Sequence, residues 1–211
     1  MKEKKKINFK YISRKPFHPQ RLHDLLSKKE FFGGVIESNG VAWIATRFVF
    51  FGDWKGDSEK FEINAGDVWM FQLLKGEHFK ITKELKEQLE NEKNEMINSK
   101  IWDENLGDMR QELNFVGYQD EFKEELIKKF LDDSLLTIEE MKIESDKWPT
   151  TFDDPFPQWI NDEEEIGKKH NHDHDHDSQK LQTIPSESLY MRLIRGKKKQ
   201  FLNSLSFSLS K

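Results

Sequence analysis

The 211-residue chain contains no cysteine. That absence excludes a disulfide framework, a thiolate zinc site and a cysteine nucleophile. No apolar run approaches the ~20 residues that a membrane-spanning helix needs. The start, Met1-Lys2-Glu3-Lys4-Lys5-Lys6, is basic but lacks the apolar stretch of a secretory signal. A soluble, cytoplasmic protein is the expectation. No serine or threonine sits in a nucleophile setting with an obvious base. No recognition module for nucleic acid accompanies the basic ends, so specific nucleic-acid binding is not expected.

What is present divides into populations. Hydrophobic and charged residues each make up 35% of the chain, a balance that places part of it outside any core. Yet 17 Phe and 6 Trp require a core, because each buried ring removes a large apolar area from water. Charge is segregated as well. Residues 1–15 hold seven Lys/Arg against one Glu, residues 139–177 thirteen Asp/Glu against four Lys, and residues 186–211 six Lys/Arg against one Glu.

Periodicity locates the elements. Ile7 to Ile12 alternates as a strand with Ile7, Phe9 and Tyr11 on one face. Pro19 suits the first turn of a helix running through Leu26. Phe31–Glu37 and Val41–Phe51 read as two strands joined by a turn at Ser38-Asn39-Gly40. Lys60–Ile63 and Val68–Leu74 read as further strands separated by Ala65-Gly66-Asp67. Thr82–Asn98 reads as a charged helix with Leu85 and Leu89 four apart, Glu112–Gly117 as a strand, and Glu121–Leu131 as an amphipathic helix. Thr137 with Glu140 forms a candidate capping box.

The expectation is an α+β fold: a compact, ferredoxin-like α/β sandwich with a mainly antiparallel sheet and flanking helices. It has four parts: a basic tail (1–6), one domain (7–160), an acidic, histidine-rich disordered linker (161–187) and a basic tail (188–211).

Several segments together resemble the C-terminal domain of CobW-like proteins, within the G3E class of GTPases and metallochaperones. They are Arg14-Lys15-Pro16-Phe17-His18-Pro19 with Arg21-Leu22; Gly34-Val35-Ile36-Glu37-Ser38 leading to Trp43-Ile44-Ala45-Thr46-Arg47; and Trp102 with Gly107-Asp108-Met109-Arg110-Gln111-Glu112-Leu113 and Phe115-Val116-Gly117. The last two are Leu135-Leu136-Thr137-Ile138-Glu139-Glu140-Met141 and Asp154-Pro155-Phe156-Pro157-Gln158-Trp159. The resemblance implies a compact domain with a sheet of four or five strands. It also implies a GTPase half carrying a phosphate loop and a Cys-x-Cys-Cys metal motif. Neither motif is found here: the only Gly-Lys pairs, Gly167-Lys168 and Gly196-Lys197, have Asp162 and Met191 where the first glycine should be. No nucleotide site and no enzymatic activity are therefore expected of this chain.

The sharpest local feature is His170-Asn171-His172-Asp173-His174-Asp175-His176-Asp177, which holds four of the seven histidines. Neutral imidazole and carboxylate suit zinc and related divalent ions. Spacing by two lets several side chains turn toward one ion, and the interleaved carboxylates can hydrogen-bond the second ring nitrogen. His170, His172, His174 and His176 with Asp173 and Asp175 are thus the candidate metal ligands. His18 reads as fixing a strand-to-helix corner. Asp108, Arg110 and Glu112, on one side of an alternating strand, read as a structural ion pair.

The functional expectation is a zinc-homeostasis or metallochaperone accessory protein that docks a GTPase domain or a metalloprotein client. The alternatives are a metal-independent interaction module, and the C-terminal half of a split GTP-binding protein whose GTPase half is a separate chain.

Overall fold

Apolar residues at every second position give the first strand its buried face, and strands of this kind build the sheet. The computed structural model describes residues 4–28, 33–159 and 182–183. In chain order the elements are β1 (Lys6–Ser13), α1 (Pro19–Leu26), β2 (Val35–Ala42), β3 (Phe50–Gly56), β4 (Phe61–Val68), α2 (Met70–Lys75), β5 (Phe79–Lys80), α3 (Lys83–Asn98), β6 (Gln111–Tyr118), α4 (Glu124–Ser134), α5 (Trp148–Thr151) and β7 (Gln182–Thr183). They fall into two units, one of residues 4–69 with 109–159 and one of residues 70–108 with 182–183.

The first unit is a five-stranded sheet in the order β1-β6-β2-β3-β4, every pairing antiparallel. The late strand β6 therefore lies between β1 and β2. One face is apolar: Phe9, Tyr11, Val35, Trp54, Leu113 and Phe115 meet Leu22 and Leu25 of α1 and Ile127 and Leu131 of α4. Asn8, Lys10 and Ile12 alternate outward on β1, as a sheet with one solvated face requires. This is the expected α+β sandwich of an antiparallel sheet with flanking helices.

In the second unit, Thr82 caps α3 by accepting the Leu85 amide, and the stripe buries Leu85 and Leu89. Strand β5 pairs parallel with β7. The linker and tail expectations for 161–187 and 188–211 otherwise lie outside the described residues. Among the described residues, no helix is long and apolar enough to cross a membrane.

Three readings need correction. Ser38-Asn39-Gly40 is not a hairpin turn but the middle of β2, and its partner β3 begins only at Phe50. Gly40 is there because a Cβ at that position would lie 2.0 Å from the Glu112 carbonyl oxygen of β6. The stretch 60–74 is not two strands around Ala65-Gly66-Asp67. Strand β4 runs through Gly66, where Phe51 leaves no room for a Cβ, and Met70–Lys75 is a helix. Helix α4 starts at Glu124 rather than Glu121, because Phe122 belongs to a turn whose ring fills the space over Gly117.

Candidate functional site

The chemistry-bearing residues of the described chain are best taken segment by segment. In the first, Arg14 donates to the Met109 carbonyl (3.0 Å) and Phe17 is fully buried. His18 caps α1: its Nδ1 accepts the amides of Gln20 (3.2 Å) and Arg21 (3.4 Å), so a neutral ring carries its proton on Nε2. Burial, and then the Arg21 guanidinium, hold its pKa below the usual histidine value. Pro19 follows at the first helical position, where a missing N–H costs nothing. Arg21 makes a bidentate pair with Glu140 (2.9 and 2.6 Å) and also donates to the Leu135 carbonyl. Hydrogen bonding from Arg21, assisted by Thr137, brings the Glu140 carboxyl down to about 2. The Thr137–Glu140 capping box forms in both directions.

The second segment runs from Trp102 to Leu113. Asp103 accepts the Asn105 and Leu106 amides, and Gly107 (φ +59°) lies where a Cβ would strike Phe71. Asp108, read from sequence as facing the same side as Arg110 and Glu112, is instead buried and accepts the Met70 and Phe71 amides at the start of α2. Arg110 and Glu112 do pair, at 2.5 Å, with Lys10 on the other side of the carboxylate. Burial works to raise Glu112, but the two cations outweigh it and its pKa is lowered. Gln111 is fully buried. Its amide oxygen accepts from Trp43 N, and its amide nitrogen donates to the carbonyls of Lys15 and Trp43.

The third segment is a strap, residues 152–159, around Arg47. The guanidinium meets both carboxylate oxygens of Asp154 (2.7 and 3.0 Å) and the carbonyls of Phe156 and Pro157 (both 2.9 Å), and it lies 4.5 Å from the Trp159 ring centroid. Thr46 adds a hydroxyl donor to Asp154. Burial works to raise the Asp154 pKa, and these hydrogen bonds bring it below the usual carboxylate range instead.

The candidate ligands His170, His172, His174 and His176, with Asp173 and Asp175, lie outside the described residues. The other three histidines are apart: His18 at the α1 cap, His23 edge-on to Phe156, and His78 beside Phe79. Among the described residues, no group of three or more His, Asp or Glu side chains could hold a metal ion. The surface depression along α3, about 480 Å³, is open and lined by Lys83, Lys86, Glu87, Glu90 and Asn91, with no convergent catalytic set. Gln111, Arg47 and Asp154 were missed as key residues. The signal for Gln111 was available, since it shares the inward face of β6 with Leu113 and Phe115.

The described chain is thus an α+β fold whose motif residues build caps, clips and clamps. The chain is 32% identical over 149 residues to the Zinc-regulated GTPase metalloprotein activator 1 of Dictyostelium discoideum, an alignment covering 69% of this chain and 28% of that protein. The likeness supports a relationship to the CobW-like family. No family model matches the chain, and no solved structure does.

Proposed function

We propose that this chain corresponds to the C-terminal domain of CobW-like proteins and acts as a non-enzymatic accessory in zinc handling. In this reading His170, His172, His174 and His176, with Asp173 and Asp175, collect a divalent ion, and the folded domain docks a GTPase or a metalloprotein client. The observation that carries the reading is the alternating His/Asp tract in a chain similar to a protein whose name joins zinc, a GTPase and metalloprotein activation. Imidazole and carboxylate without thiolate make a weak, exchangeable site, suited to buffering and hand-over rather than permanent retention. Calorimetry tests it. Wild-type chain takes up zinc, and a version with Asn at 170, 172, 174 and 176 loses that stoichiometry; unchanged stoichiometry overturns the proposal.

A second reading, a metal-independent interaction module, is favoured by the engagement of the family-like motif residues in building the fold. Deleting residues 161–180 separates the two. Growth in zinc-poor medium suffers under the first reading and is unchanged under the second.

A further inference from the structure

The strap after α5 is bound to its own domain in the manner of a peptide ligand. Phe152, Asp154 and Phe156 are half-buried while Asp153, Pro155 and Pro157 are exposed, so the segment presents alternate side chains to the body. Its prolines preset an extended conformation, the property exploited where aromatic-lined grooves take proline-rich segments. Its fastening comes from side chains. Arg47 takes the Asp154 carboxylate and two successive carbonyls, and the Trp159 indole N–H donates to the Ile63 carbonyl (3.3 Å). Aromatic contacts complete it: His18 lies against Phe152 (4.8 Å between centroids) and His23 against Phe156 (5.5 Å). A Cβ at Gly52 of β3 would sit 3.4 Å from the Trp159 ring, so the indole lies directly over that glycine.

We propose that the groove between Arg47, Ile63 and α1 is a recognition site for an extended Asp-Pro-Phe-Pro-x-Trp segment. The chain's own strap is its resident occupant, and a partner bearing the same acidic, proline–aromatic chemistry enters by displacing it. The guanidinium supplies the selectivity. It reads a carboxylate, two carbonyls of a proline-containing backbone and an indole face together, which no single lysine could do. This inference is independent of the metal tract, and its test does not involve zinc.

The probe is a synthetic peptide of residues 151–160. Added to full-length wild-type chain near the strap's effective concentration, which is about millimolar, it raises the hydrogen-exchange rate of the strap amides about tenfold and leaves those of β6 unchanged. Labelled peptide binds the Asp154→Ala chain, whose own strap is loosened, at least about tenfold more tightly than wild type. Adding Arg47→Met to that chain removes saturable binding. Strap amides that exchange only in step with β6, with or without peptide, overturn the proposal. So does a folded Asp154→Ala chain that takes up no peptide, or a double variant that binds as well as the single one. If Asp154→Ala fails to fold, the wild-type exchange measurement decides.

Discussion

His18 carries several tasks at one position, and they make the fold sensitive to acid. Its Nδ1 must remain unprotonated to accept the two α1 amides, and a positive ring there would oppose both the helix dipole and the Arg21 guanidinium. The folded-state pKa is lowered, so the stability that His18 contributes is complete above the unfolded value of 6.5 and is lost as pH falls through the lower folded value. The charged groups facing it are Arg21 and Asp24 of α1 and Glu140. Glu140, at about 2, stays ionised throughout this range; its own contribution is complete above 4.5 and is lost only as pH falls from 4.5 toward 2. Asparagine caps helices as well as any residue and does not titrate. Between pH 7.5 and 5, His18→Asn should therefore melt with less pH dependence than wild type, by about 1 kcal/mol or roughly 3 °C. Parallel melting curves for the two proteins across that window would show that the ring does not act as a cap. Gln111 is the buried counterpart. Replacing it with Met strands the Trp43 amide and takes the side-chain donor from the Lys15 carbonyl, while the Trp43 carbonyl keeps the Phe17 amide, at a cost of about 2 kcal/mol, read as a lower midpoint in urea.

At the scale of elements, legibility followed locality. β1, α1, α3 and β6 were readable because period and capping residues agree over consecutive positions: Pro19 opens α1, Thr82 caps α3, and alternate residues of β6 are buried. The errors fell where a distant backbone decides. Gly40 and Gly66 look like turn residues in sequence, yet each is a glycine inside a strand because a neighbouring residue occupies the place of its Cβ. Helix α2 was unreadable because one of its N-terminal caps, Asp108, lies 38 residues downstream. The motif stretches were visible as sequence, but that Arg47 closes on Asp154 across 107 residues was not. Gly40→Ala tests the close-approach account. With the Glu112 carbonyl oxygen 2.0 Å from the new methyl, and with φ at +149° adding backbone strain of the kind Gly76 also carries, β2 and β6 must part, at about 3 kcal/mol or roughly 10 °C. Gly76→Ala is the control: at φ +71° with open space around it, that change brings only backbone strain, about 1 kcal/mol. Equal losses at the two positions would reject close approach as the reason for Gly40.

For the whole molecule, the question is whether metal and fold are thermodynamically coupled. The proposed ligands all fall within residues 170–176, so an unfolded chain can gather them as readily as a folded one. The folded body described through Trp159 is assembled by the sheet, the Arg21–Glu140 pair and the Arg47 clamp, none of which draws on those residues. A ligand bound by folded and unfolded states alike does not shift their equilibrium, whereas one bound only by the folded state at a hundred times its Kd adds about 2.7 kcal/mol. Zinc at that excess should therefore load the chain in calorimetry while leaving the melting temperature of the body within about 1 °C, against a rise of roughly 8 °C for a ligand specific to the folded state. Binding should also weaken as pH falls below about 6.5, because protons compete for the imidazoles. A zinc-dependent rise of several degrees would mean that the folded body supplies ligands itself. His18 and His23 would then be the first residues to replace, because their rings pack against Phe152 and Phe156 of the strap, which precedes the tract in sequence.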